Sequence, residues 1–260
     1  MAVAAASIAP APIRTLVPQF DAGIGPLGKI GFIALGNGTT SEFEVSAMLP
    51  EGMVLYISRV PSDNVVNLTN LKAIESGMVA ATKLILPDGK LDVMIYGCTS
   101  GTVALGEDVV AARIRAVRPG MKVTTPITGC LAAFRALGKK KVVLLTPYIA
   151  EVTAAVRDYM NARGLEVLDA ANFNVTLNSD MVRITPEAVA EAAIALDRPD
   201  AEAIFVSCTA LRTSTIIERV ERATGKPCVT SNQALAWHAM RLAGYTAAMP
   251  GFGRLMTLPA

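Results

Sequence analysis

The chain has 260 residues, of which 24 are basic and 22 acidic for a formal charge of +2, and 52% are hydrophobic. With no basic block or aromatic–basic interleaving, nucleic acid is not an expected partner, and no apolar run reaches the roughly 18–20 residues of a membrane span. One histidine and four cysteines, none in a Cys-x-x-Cys pair, argue against a structural zinc site and a disulfide framework, so the chain reads as cytoplasmic with free thiols.

Residues 1–27 are rich in Pro and Gly without a sustained period and read as a loose surface arm. The first twelve imitate a secretory signal only weakly, because they lack a basic start and prolines interrupt the apolar stretch. Three Asn-x-Thr sequons, at Asn37, Asn67 and Asn174, therefore carry no meaning for glycosylation. Residues 29–35 read as the first strand. It runs into the small loop Gly36-Asn37-Gly38-Thr39-Thr40, whose threonines can cap a helix reaching Leu49. A second strand is expected over 53–60, a polar loop over 61–67 and an amphipathic helix over 69–86. The next strand stops at Cys98-Thr99-Ser100. A helix follows over 106–117, and residues 121–125 close this half.

The second half repeats that order. A strand over 141–146 ends at Pro147-Tyr148, and a helix runs to Arg163. A strand over 166–173 and a polar loop over 174–184 precede a helix that starts with Pro186 in its first turn. The next strand stops at Cys208-Thr209-Ala210, a helix runs to Thr224, and a strand over 227–231 leads into a last helix over 233–242. Leu35 to Cys98 is 63 residues, and so is Leu145 to Cys208. The repeat predicts an α/β fold of two pseudo-symmetric lobes, each a parallel sheet flanked by helices, with an active site in the cleft between them. Residues 28–126 plus 231–260 would form the first lobe and 127–230 the second.

Ligands in open α/β sheets bind beyond the carboxyl ends of the strands, where both Cys-Thr stretches fall. A thiol at a helix N-terminus has a lowered pKa, and two opposed thiols can move protons on and off carbon, or one can add to an activated carbon. Charge pushed onto a carboxylate oxygen then needs donors. Thr99, Ser100, Tyr148 and the N–H groups after each cysteine are the candidates. Cys130, in a helix start without a counterpart, and Cys228, inside a strand, read as packing residues, as does His238 with a hydrogen bond. Asn37 and Asn178 taken alone are loop asparagines. No Gly-x-Gly-x-x-Gly follows a strand, so no dinucleotide fingerprint is present.

Cys98-Thr99-Ser100 and Ser207-Cys208-Thr209-Ala210, with Thr146-Pro147-Tyr148 between them, resemble the aspartate/glutamate/hydantoin racemase superfamily. The branch they look most like is that of maleate cis-trans isomerase and arylmalonate decarboxylase. Within it, Tyr96-Gly97-Cys98-Thr99-Ser100-Gly101-Thr102, Ser207 to Thr213 and the run Thr230 to His238 are similar to the ectoine-utilisation protein A group. The resemblance covers residues 28–256. It implies a cofactor-independent isomerase or racemase of a small carboxylic or dicarboxylic acid, a homodimer, with Cys98 and Cys208 as the two catalytic thiols. It puts Thr99, Ser100 and Tyr148 on carboxylate-binding positions and Asn178 on a substrate-contacting asparagine; Thr209 and Ala210 follow the second thiol. The decarboxylase branch has Gly at the first cysteine position, so Cys98 argues against decarboxylation. Where the isomerases have an Asn in the first loop this chain has Gly38, with Asn37 one residue earlier. Either the loop shifts by one residue or the substrate differs from maleate. Two other readings stand beside the isomerase: an amino-acid racemase of the Asp/Glu type, and a small-acid binding protein that has lost catalysis.

Overall fold

The computed structural model describes residues 11–258. The first half supplies β1 (Gly28–Leu35), β2 (Met53–Val60), β3 (Val93–Tyr96) and β4 (Val123–Thr124). The second half supplies β5 (Lys141–Thr146), β6 (Glu166–Asn172), β7 (Ala203–Val206) and β8 (Cys228–Thr230). They form two parallel sheets of the same order, β2-β1-β3-β4 and β6-β5-β7-β8. β3 and β7 are buried at every residue, which is why they read as unbroken apolar runs: a parallel strand is covered on both faces.

The helices are α1 (Ser41–Ala47), α2 (Leu68–Ala73), α3 (Met78–Leu84), α4 (Thr99–Leu105), α5 (Glu107–Arg115), α6 (Pro126–Leu137) and α7 (Ala150–Asn161), then α8 (Asn178–Met181), α9 (Pro186–Ala195), α10 (Ile217–Thr224), α11 (Ser231–Ala243) and α12 (Arg254–Thr257). The two lobes are thus α/β units of one design. α11 follows the second sheet but packs on β1 and β3 of the first, and on α6.

Several expected elements differ. The helix expected over 69–86 is broken by a 3-10 turn, Ile74–Gly77, because Gly77 lies on the end of β2: a Cβ there would come within 2.6 Å of Val60 and 2.9 Å of Pro61. Ahead of the helix expected over 106–117 stands a separate one, α4, which Gly106 with φ +93° divides from α5. Thr40 takes the cap position of α1, yet its hydroxyl makes no capping bond, and α1 ends at Ala47. The helix around Cys130 does have a counterpart. It starts at Pro126 behind the cap Thr125, as α11 starts behind the cap Thr230. These two helices cross so closely that a Cβ on Gly129 would lie 2.5 Å from the Ala234 carbonyl oxygen. Cys130 and Cys228 are fully buried, and the His238 Nδ1 lies 2.8 Å from the Thr124 hydroxyl. Of the expected arm, residues 11–24 are exposed and carry no helix or strand, while residues 1–10 lie outside the described residues. Among the described residues no helix is long and apolar enough to cross a membrane.

Candidate active site

β3 ends at Tyr96, and Cys98 becomes the cap of α4. Its sulfur accepts the Gly101 N–H at 3.2 Å, in the place a capping oxygen would take. β7 ends at Val206, and Cys208 follows with φ +136°, a conformation that residues with a Cβ rarely adopt. The Cys208 sulfur accepts the Ala210 N–H at 3.3 Å. No helix starts there, against expectation: α10 begins only at Ile217. The backbone groups of this stretch find partners elsewhere instead. Asn232 donates to the carbonyls of Thr209 and Leu211 at 3.3 Å. The buried Glu44 carboxylate accepts from the N–H groups of Thr213 and Ser214, each at 2.8 Å. Those side chains remove the need for a helix. Cys98 therefore occupies a helix N-terminus and Cys208 does not.

Both sulfurs line one small cavity between the lobes, walled by residues of both halves. Ser100, Tyr148, Asn178, Thr209, Ala210 and Asn37 line it too. Its roof is made by the two polar loops, one from each half, zipped together: Val66 N–H donates to Thr176 O at 2.9 Å and Asn178 N–H to Asn64 O at 2.8 Å. The Asn37 side chain is committed to this roof. Its amide nitrogen donates to Asp63 O at 2.9 Å, and its amide oxygen accepts the Ser62 hydroxyl at 2.7 Å. The Asn178 side chain donates to the Asn37 carbonyl at 3.0 Å. Thr99 does not line the cavity. Its hydroxyl lies 2.8 Å from that of Ser231, which accepts the Cys208 N–H at 2.9 Å. Thr209 donates across the lobes to Gly97 O at 2.9 Å.

Among the described residues Asp63 is the one charged residue in the lining, and no Lys, Arg or His contributes. An anion in the cavity must then be held by neutral donors: hydroxyls, amides and backbone N–H groups. Burial raises the Cys98 thiol pKa, against lowering by the Gly101 N–H and the hydroxyls of Ser100 and Tyr96. Burial pushes Cys208 up to about 11, against lowering by the Tyr148 hydroxyl and the Ala210 N–H. The expectation of lowered thiol pKa values is thereby corrected: loss of water outweighs the backbone donors. At neutral pH both sulfurs therefore carry protons. The Tyr148 hydroxyl faces Cys208, with Cys98 and Ser100 close by. Among the described residues no three His, Cys, Asp or Glu side chains are grouped to hold a metal.

Sequence reading passed over Tyr96, Ser231 and Glu44. A Tyr in an apolar strand looks like core, and the other two act on residues far along the chain. Only the position of Ser231 at the repeated strand-to-helix junction after β8 could have drawn attention to it.

Residues 104–256 match the arylmalonate decarboxylase family. The maleate isomerase of Alcaligenes faecalis is 27% identical over 246 residues, covering 88% of this chain and 96% of that one. The arylmalonate decarboxylase of Bordetella bronchiseptica is 34% identical over 139 residues, 52% of this chain and 58% of its own length. In fold, the crystal structure of the maleate isomerase Iso from Pseudomonas putida S16 superposes with a TM-score of 0.82 at 25% identity, over 88% of this chain and 98% of that one.

Proposed function

The chain belongs to the arylmalonate decarboxylase family, and from that premise we propose that it is a cofactor-independent isomerase of a small dicarboxylic acid, working through Cys98 and Cys208. The observation that carries this reading is the meeting of two sulfurs from repeated strand ends in one enclosed cavity. The likeness to maleate isomerases along nearly their whole length supports it.

In the reaction, the Cys98 sulfur adds to one carbon of a cis alkene while Cys208 gives its proton to the other. The proton leaving Cys98 passes to the Cys208 sulfur, so the net change is addition of S–H across the double bond. Rotation about the new single bond follows. The Cys208 S–H proton then returns to the departing Cys98 sulfur as Cys208 removes a proton from carbon, the C–S bond breaks, and the trans alkene and both thiols re-form. Nothing is oxidised or reduced. Charge moves onto a carboxylate oxygen during addition, and the hydroxyls of Ser100 and Tyr148, the Asn178 amide and the Thr209 N–H stabilise it there, while the Ala210 N–H stays with the Cys208 sulfur. On this reading Asn37 and Thr99 shape the site rather than donate to the substrate.

Conversion of maleate to fumarate, followed by proton NMR, tests the reading. Cys98→Ser and Cys208→Ala should each lower turnover by about 100-fold or more with an unchanged circular dichroism spectrum. Full activity in either variant removes the two-thiol mechanism. A racemase reading also fits two sulfurs in one cavity: one, once ionised, removes an α-proton and the other, as the thiol, returns one. Deuterium entering a chiral acid from solvent, without cis–trans conversion, would favour it, and neither activity would favour a binding protein. We further assign the substrate to ectoine degradation, the working form to a cytoplasmic homodimer that binds no nucleic acid, and the lobes to residues 28–126 with 231–260 and 127–230. Native mass spectrometry tests the dimer.

A further inference from the structure

Tyr96 ends β3 two residues before Cys98 and is fully buried. Its hydroxyl has no hydrogen-bond partner among the described residues. Buried hydroxyls are seldom left so, and an orphan donor in a site calls for an explanation. Its surroundings supply one. A Cβ on Gly101 would lie 2.6 Å from the Tyr96 hydroxyl oxygen and 2.9 Å from the Cys98 sulfur. The phenol and the thiol therefore flank a residue that has no side chain to separate them.

Tyr148 stands in a comparable relation to Cys208, on the loop after β5. Each sulfur thus has a phenol beside it, although the phenols come from different elements. The internal repeat does not produce this pairing, since Val206 stands two residues before Cys208.

We propose that Tyr96 is a positioning residue for Cys98, whose hydroxyl turns to donate to the sulfur whenever the sulfur carries negative charge. This rests on the reading of Cys98 as the sulfur that adds to and leaves carbon. The neutral thiol needs no such donor, so the hydroxyl is unpaired in the resting site. When the C–S bond breaks, the departing thiolate gains a charge-assisted hydrogen bond in a dry environment, where such bonds are strongest. The direction agrees with the phenol's lowering of the Cys98 pKa against burial.

The test replaces Tyr96 by Phe and follows alkylation of Cys98 by iodoacetamide between pH 7 and 11, resolved at that residue by peptide mass spectrometry. The midpoint should rise by about one unit, with kcat about 10-fold lower and KM unchanged. An unchanged midpoint overturns the proposal. Alkylation needs no substrate, so it reports on Tyr96 even if Cys98→Ser keeps full turnover, a result that would strike the mechanism and not the pairing. If Tyr96→Phe does not fold, 3-fluorotyrosine at 96 keeps the shape with a stronger donor. It should lower the midpoint, and a midpoint that stays put or rises would overturn the proposal equally.

Discussion

Cys208 holds its thiol on a backbone with φ +136°, where a side chain costs on the order of 1–3 kcal/mol. Two bonds keep it there: its N–H to the Ser231 hydroxyl and the Ala210 N–H to its sulfur. Glycine would relax at this position, so Cys208→Gly should resist urea better than Cys208→Ala by about 1 kcal/mol. Equal stabilities would mean that the strain is not felt. Gly101 makes the opposite case, because its missing side chain leaves room for the Cys98 sulfur. Gly101→Ala should push that sulfur aside and lower turnover by roughly 100-fold, the usual effect of a misplacement near 1 Å. Turnover within a few-fold of wild type would show that the sulfur has slack. Cys98, Ser100, Tyr148 and Cys208 were legible because each follows a strand end with unusual wording, whereas Asn37 and Asn178 stood out only through the family resemblance. Thr99 has the same wording, yet it turns away to Ser231, and no sequence pattern separates a hydroxyl that faces a cavity from one that faces a helix.

α1 fastens the two lobes together through Glu44. Its buried carboxylate accepts from the N–H and hydroxyl of Thr213, at 2.8 and 3.1 Å, and of Ser214, at 2.8 and 2.7 Å. Removing the carboxylate leaves these donors without a partner in a dry place, so Glu44→Ala should cost about 3 kcal/mol in urea denaturation. A loss below about 1 kcal/mol would mean that water replaces it. The stretch after Cys208 was the element least legible in the sequence, for the same reason. The sequence reads as a helix between the Cys208 stretch and Thr224, and what satisfies the Thr213 N–H otherwise is a carboxylate 169 residues away. β2 and β5, in contrast, could be read to the residue, because both carry their own boundaries as apolar runs closed by Pro, whereas β4 is only Val123–Thr124 where 121–125 was expected. α4 escaped notice because Thr99-Ser100-Gly101-Thr102 has weak helix formers and no apolar period.

Enclosing both thiols between two lobes sets how the whole molecule answers to pH. Burial raises the pKa of Cys98, Cys130, Cys208 and Cys228, with Cys208 going from the usual 9.0 to about 11. Between those two values an unfolded chain releases a proton that the folded chain keeps, so the folded state binds more protons and stability falls as pH rises. Cys208 alone should account for a loss of roughly 2 kcal/mol by pH 10.5, with its full contribution to stability still present below pH 9. Lysines and tyrosines titrate in the same range, so the informative quantity is a difference: urea denaturation of the wild type and of Cys208→Ala at pH 8 and pH 10.5. The variant should lose less stability between the two, and parallel losses would mean that the thiol ionises in the folded protein much as it does in water. Turnover should rise with pH as Cys98 begins to ionise and fall again once Cys208 loses the proton it donates, at about pH 11. The same exclusion of water that keeps the thiols protonated also strengthens the cavity's neutral donors toward a carboxylate. An opened cleft would return the thiols toward their usual pKa of 9.0 and lose that hold on the substrate.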